Sequence, residues 1–135
     1  MAEVKAFVGH SFTDDDKDVV ARFIEFFGTL AKLNTSFSWV HARAAEPKQL
    51  AEKVLSLIQG RNLFIGICTK KERVVDSEGA TLLFNRLISK PDDLHWKTSD
   101  WVIQEIGLAI GRSMNIILLV ENSVRKPGGL QTVHA

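Results

Sequence analysis

Hydrophobic positions along this chain follow two rhythms that alternate. Val4 to Val8 is a short apolar run with one charged interruption, and Ser36 to Val40 is a second short run. Both predict strands. Leu63-Phe64-Ile65-Gly66-Ile67-Cys68 and Ile116-Ile117-Leu118-Leu119-Val120 are nearly all apolar. A continuous run without alternation marks a strand covered on both faces, as in a parallel sheet. Between these runs the period lengthens. Val19, Val20, Phe23, Ile24, Phe27 and Leu30 recur at helical spacing and predict a helix of roughly 18 residues. Asp14, Asp15 and Asp16 stand where a helix start favours negative charge. Pro47 suits the first turn of a second helix. Leu50, Val54, Leu57 and Ile58 would be its buried stripe, and Gly60 ends it. A third helix starts near Thr98 or Ser99, both good caps, with Val102, Ile106, Ala109 and Ile110 as its core face. Strand and helix in alternation predict an α/β domain built on a parallel sheet.

Two segments depart from that rhythm. Lys70 to Lys97 is a long insertion holding one short predicted helix, Thr81 to Ser89, with Pro91 beyond its end; segments of this length are usually functional or poorly ordered. After Val120, where a doubly wound domain has another helix and strand, only Glu121 to Ala135 remain, including the turn-like Lys126-Pro127-Gly128-Gly129. The chain therefore reads either as the N-terminal part of a longer protein or as a sheet without its last strand.

Composition narrows the function classes. The 135 residues, 45% hydrophobic and 24% charged, make one globular domain over 1–135. A net charge of +1 gives no electrostatic case for nucleic acid or a membrane surface. No apolar run approaches the roughly 20 residues needed to span a bilayer. The N-terminus does not read as a secretory signal. The single cysteine, Cys68, cannot form an internal disulfide, which fits a reducing, cytoplasmic setting. Inside an apolar strand its thiol keeps its proton and reads as packing rather than as a nucleophile. His10, His41, His95 and His134 show no spacing that pairs them with each other or with carboxylates, so no metal site is expected.

The segment that carries chemistry is Ser99-Asp100-Trp101-Val102-Ile103-Gln104-Glu105. Residues at i and i+4 of a helix share a face, so Trp101 forms a flat wall beside the oxygens of Glu105. A ring and a carboxylate in that relation suit a planar, positively charged group and work on the bond next to it. Helical projection puts Glu105 at the margin of the core face, half-shielded, a position that suits pKa tuning. The bland readings are an edge carboxylate favoured by the helix dipole and a tryptophan that only packs.

These residues resemble a family. Ala6-Phe7-Val8-Gly9-His10-Ser11 is similar to the first strand and following loop of bacterial TIR (Toll/interleukin-1 receptor) domains. His41 to Glu46, before Pro47, falls at their BB loop. Ser99 to Glu105 closely matches the S-x-W-x-x-x-E signature of the enzymatic members, and the resemblance covers almost the whole chain. It implies a flavodoxin-like, doubly wound parallel sheet of order 2-1-3-4-5, with the ligand at the carboxyl ends of the strands near the switch in order. It implies cleavage of NAD+ at the nicotinamide–ribose bond, by hydrolysis or cyclisation, with NAD+ as substrate rather than cofactor. By this resemblance Glu105 is the catalytic carboxylate and Trp101 stacks near the nicotinamide. His10, Ser11 and Phe12, in the loop after the first strand, and Arg43 line the substrate. Many enzymatic members carry arginine in that first loop. Here Ser11 and Phe12 stand there, so phosphate contacts fall to backbone amides of the loop or to Arg43.

The resemblance also implies self-association through His41 to Glu46, a fused or partner sensor module, and a role as an effector in bacterial antiphage defence. Two other classes compete. One is a non-enzymatic TIR interaction module, which needs neither Trp101 nor Glu105. The other is a nucleoside deoxyribosyltransferase, which shares a related fold and carboxylate chemistry. A phospho-receiver is excluded: it needs an acidic pair after the first strand and an aspartate ending the third, where this chain has Gly9-His10 and Cys68-Thr69.

Overall fold

Each apolar run becomes a strand and each helical stripe a helix. In chain order the elements are β1 (Val4–Gly9), a 3-10 turn (Asp14–Asp16) leading into α1 (Lys17–Leu33), β2 (Phe37–His41), α2 (Pro47–Ile58), β3 (Leu63–Cys68), β4 (Glu72–Val74), β5 (His95–Lys97), α3 (Asp100–Gly111), β6 (Asn115–Val120) and β7 (Val133–His134). The computed structural model describes residues 3–42, 47–74, 95–122, 124 and 133–134. The helix expected at Thr81 to Ser89 lies outside them.

The main sheet runs β2-β1-β3-β6-β7, and every pairing in it is parallel. Counting only its own strands, that order is 2-1-3-4-5, the flavodoxin-like doubly wound arrangement. Alternate residues of each strand face opposite layers. Ala6 and Val8 of β1 and Ile65 and Ile67 of β3 pack with Phe27 of α1. Phe7, Phe64, Cys68, Leu118 and Val120 pack on the other side with Val54 and Ile58 of α2 and Val102, Ile106 and Ala109 of α3. Gly60, just past α2, has φ +77°, a left-handed conformation that glycine adopts without a Cβ penalty.

Several expectations are corrected. The last strand is present: Val133–His134 pairs in parallel with Leu119 and Val120 at the sheet edge. Its two residues have no apolar periodicity of their own, so the run-length signal missed it. The 70–97 insertion also begins and ends in two short strands that the sequence pattern did not predict. β4 and β5 form an antiparallel ribbon, Glu72 opposite Lys97 and Val74 opposite His95, and Lys71 N donates to Lys97 O at 2.9 Å. On α3, Ile110 is 51% exposed, not part of the core face, and on α1 Val19 is 40% exposed. Both lie at the shoulder of their helix's buried stripe.

Phe64 is fully buried and stacks on Phe7, ring centroids 6.0 Å apart. Phe64→Ala should lower unfolding free energy by about 3–5 kcal/mol, read by denaturant titration. Burial pushes the Cys68 thiol up to about 12, so Cys68 should resist alkylation in the native protein and react only on unfolding.

Candidate active site

The site begins at the start of α3. Ser99 is its N-cap, its Oγ accepting from Val102 N at 3.1 Å, and Asp100 pairs with Lys97. That start sets the phase of the helix. It puts Trp101, Gln104, Glu105 and Leu108 along a cleft of about 230 Å³ whose opposite wall is Val54 and Leu55 of α2. The i, i+4 pair read from the sequence thus shares one cleft.

Glu105 is not half-shielded. It is 3% exposed. The margin position would leave it partly wet if α3 stood alone, but the end of β1 closes over it. A Cβ on Gly9 would lie 2.8 Å from Glu105 Oε1 and 2.8 Å from Phe64 Cζ. The missing side chain of Gly9 is therefore the space into which the carboxyl and the phenyl ring both reach. Burial pushes the Glu105 carboxyl up to about 8, because a charge is costlier than a neutral acid in an apolar setting.

Three buried polar atoms near the start of α3 have no hydrogen-bond partner: Thr98 Oγ1, Trp101 Nε1 and Glu105 Oε1. Their residues are spaced three and four apart. Buried polar groups are normally satisfied, so the two orphans that share the cleft, on Trp101 and Glu105, make it a candidate place for a ligand; Thr98 lies just before the helix. The sequence marks Thr98 only as a cap for the helix, and that place is taken by Ser99.

The loop after β1 divides its residues between two places. Phe12 reaches the Trp101 ring, centroids 6.4 Å apart. His10 and Ser11, with Phe12, line a different cleft of about 340 Å³ against Lys17, Val20 and Ile24 of α1. Both polar side chains are buried and engaged. His10 Nδ1 donates to Ser11 O at 2.9 Å, so the neutral ring accepts at Nε2 from His41 Nδ1, also at 2.9 Å. The histidines that sequence spacing left unpaired meet because β1 and β2 are neighbours. Burial holds the His10 pKa below its usual value, partly offset by the Ser11 carbonyl and the charge of Asp16.

The three aspartates do not share one role at the helix start. Asp16 is buried and accepts from Ser11 Oγ and from Thr69 Oγ1, the latter at 2.7 Å, and pairs with Lys71. It ties the loops after β1 and β3 together beneath the site. Asp15, exposed, also pairs with Lys71 at 3.1 Å. Arg43 and the rest of the segment 43–46 lie outside the described residues. Among the described residues no group of three or more His, Cys, Asp or Glu side chains is placed to hold a metal.

No family model and no curated protein matches the chain. A crystal structure of a conserved protein from Enterococcus faecalis V583 is similar, with TM-score 0.56 and 14% identity over 90% of this chain and 66% of that one. The chain thus spans just under two thirds of that protein's length, and the likeness shows the fold alone. Among the described residues no helix is long and apolar enough to cross a membrane.

Two measurements follow from this geometry. Gly9→Ala forces a Cβ onto the carboxyl and the Phe64 ring and should cost about 1–3 kcal/mol of stability. Glu105→Gln should do the reverse, with a defined pH dependence. The unfolded carboxyl ionises above its ordinary 4.5 while the folded one stays protonated to about 8, so this group's stabilising contribution is complete below 4.5 and is lost as pH rises through that window. Glutamine cannot ionise. The variant should match wild type near pH 4 and gain on the order of 4 kcal/mol by pH 8, seen as a rising difference in melting temperature.

Proposed function

We propose that this chain is a TIR-type domain that cleaves the nicotinamide–ribose bond of NAD+, with Glu105 as the catalytic carboxylate and Trp101 as the ring beside the nicotinamide. The observation that carries the reading is the buried, unpartnered Glu105 oxygen in a cleft shared with Trp101, at the carboxyl end of β1. Ligands of doubly wound sheets bind outside the carboxyl ends of the strands, and β1 and β3 flank the switch in strand order. The S-x-W-x-x-x-E spacing adds to this.

The chemistry suits a carboxylate without an acid partner. The leaving group is a cationic pyridinium that departs as neutral nicotinamide, so no proton need be donated to it. The ribose carbon left behind is oxocarbenium-like, as in glycoside hydrolysis. An ionised Glu105 stabilises that carbon and accepts from a ribose hydroxyl, and the apolar walls strengthen both interactions. Water then completes hydrolysis, or a ring nitrogen of the substrate's own adenine completes cyclisation. Phe12, against Trp101, extends the aromatic wall. The side chains of His10 and Ser11 are committed to the loop's own bonds, so their part in this reading is to shape the loop.

Purified protein should release nicotinamide from NAD+, and deoxynucleosides offered in its place should give no base exchange. Glu105→Gln should abolish release while the protein stays folded. Because the reacting form is the carboxylate, kcat/KM should climb as pH rises toward 8 and level off above it. Retained cleavage in Glu105→Gln would remove Glu105 from this role. In the TIR reading, self-association through His41 to Glu46 completes the pocket and a sensor module triggers it, as in antiphage defence. Specific activity should then rise with protein concentration, and Arg43→Ala should blunt the rise. Activity that stays flat across concentrations at which the protein goes from monomer to oligomer would mean that one chain carries the whole site.

A further inference from the structure

The cleft beside Glu105 has an unusual electrical state. β1 and β3 bring Gly9 and Phe64 against the carboxyl, α2 brings Val54 and Leu55, and α3 brings Trp101 and Gln104. None of these is titratable. The nearest charge on the same helix whose contacts are described, Asp100, is already paired with Lys97. An ionised Glu105 would thus be a buried charge with no compensating cation among the described residues, and such a charge is strongly disfavoured. Burial among these residues favours the neutral acid in the resting protein. Beside it, Trp101 offers a ring face, on which a cation is attracted electrostatically, and an indole N–H that lacks an acceptor.

We propose that this cleft is a charge-selective site for a planar organic cation bearing a hydrogen-bond acceptor, and that the cation enters in exchange for the proton of Glu105. The exchange balances: neutral acid plus cation becomes a carboxylate–cation pair plus one proton released to solvent, and the net charge of the cleft changes by nothing. A neutral ring of the same shape offers no such exchange. It leaves the carboxyl protonated and forgoes the ion pair. The site therefore reads the oxidation state of a nicotinamide, taking the cationic pyridinium and rejecting the neutral dihydropyridine. This deepens the glycohydrolase reading and rests on it for the identity of the ring, but it can fail or hold separately.

Two small probes separate the cases. 1-Methylnicotinamide carries the pyridinium charge and the carboxamide acceptor but has no ribose to cleave. 1-Methyl-1,4-dihydronicotinamide has nearly the same outline and no charge. Titration calorimetry of the full chain at about pH 7, repeated in buffers of different ionisation enthalpy, reads affinity and proton release together. The cation should bind about tenfold or more tightly than its reduced partner, releasing close to one proton per site. In Glu105→Gln the proton release should vanish and the preference collapse. Equal affinities, no proton release, or no saturable binding of either probe would overturn the proposal. If the probes behave as expected but NAD+ is never cleaved, the glycohydrolase reading falls and the charge-selective site stands. If NAD+ is cleaved while the two probes bind alike, the reverse holds.

Discussion

The structure turns on one contact, the Glu105 carboxyl pressed against the backbone of Gly9. It exists because three elements converge at one point. β1 ends in a residue without a side chain, β3 supplies the Phe64 ring beside it, and α3 starts at Ser99 with a phase that aims residue 105 inward. Each element is ordinary alone. Together they place a carboxyl group, 3% exposed, with one oxygen lacking any hydrogen bond. Burial disfavours the ionised form of this group, so the arrangement is expected to work against stability as pH rises. A glutamine in its place, which cannot ionise, is expected to suit the fold better at neutral pH. A fold that keeps a group it would be more stable without has the pattern expected of a functional site, where stability and activity pull in opposite directions.

The polar network around Asp16 works in the opposite sense. There the buried carboxylate is saturated by Ser11, Thr69 and Lys71. It fastens the loop after β1 to the segment after β3, and that loop carries Phe12 against Trp101. The His10–His41 bond fastens the same loop to β2. The loop that borders the candidate cleft is thus held on two sides by groups whose hydrogen bonds are spent on holding it. Preorganisation of this kind keeps the walls of a site in place while its reactive group stays unsatisfied.

Much of this was legible from local pattern. Continuous apolar runs identified β3 and β6 as strands, β3 buried nearly throughout and β6 only on the Leu118–Val120 face, with Ile117 38% exposed; helical spacing found α1 and α2, and Ser99 announced α3. Each of these signals is set by residues within a few positions of one another, where side-chain periodicity and capping chemistry act directly. The Trp101–Glu105 pairing was legible for the same reason: four residues on a helix is a local distance.

The chain's own pattern could not reach contacts made between elements distant in sequence. Glu105 read as marginal because a helical projection knows nothing of the strand that covers it, 96 positions earlier in the register of Gly9. Asp16 read as one of three helix-start charges because Thr69 and Lys71, its partners, come from the far side of β3. His10 and His41 had no meaningful spacing until parallel pairing of β1 with β2 brought their strand ends together. β7 was missed because two residues hold no period. Periodicity sorts residues into buried and exposed faces within an element, but it is the packing of one element's end against another that determines which polar groups lose water and which of those find a partner. In this domain that difference separates Asp16, satisfied and structural, from Glu105, buried and left open.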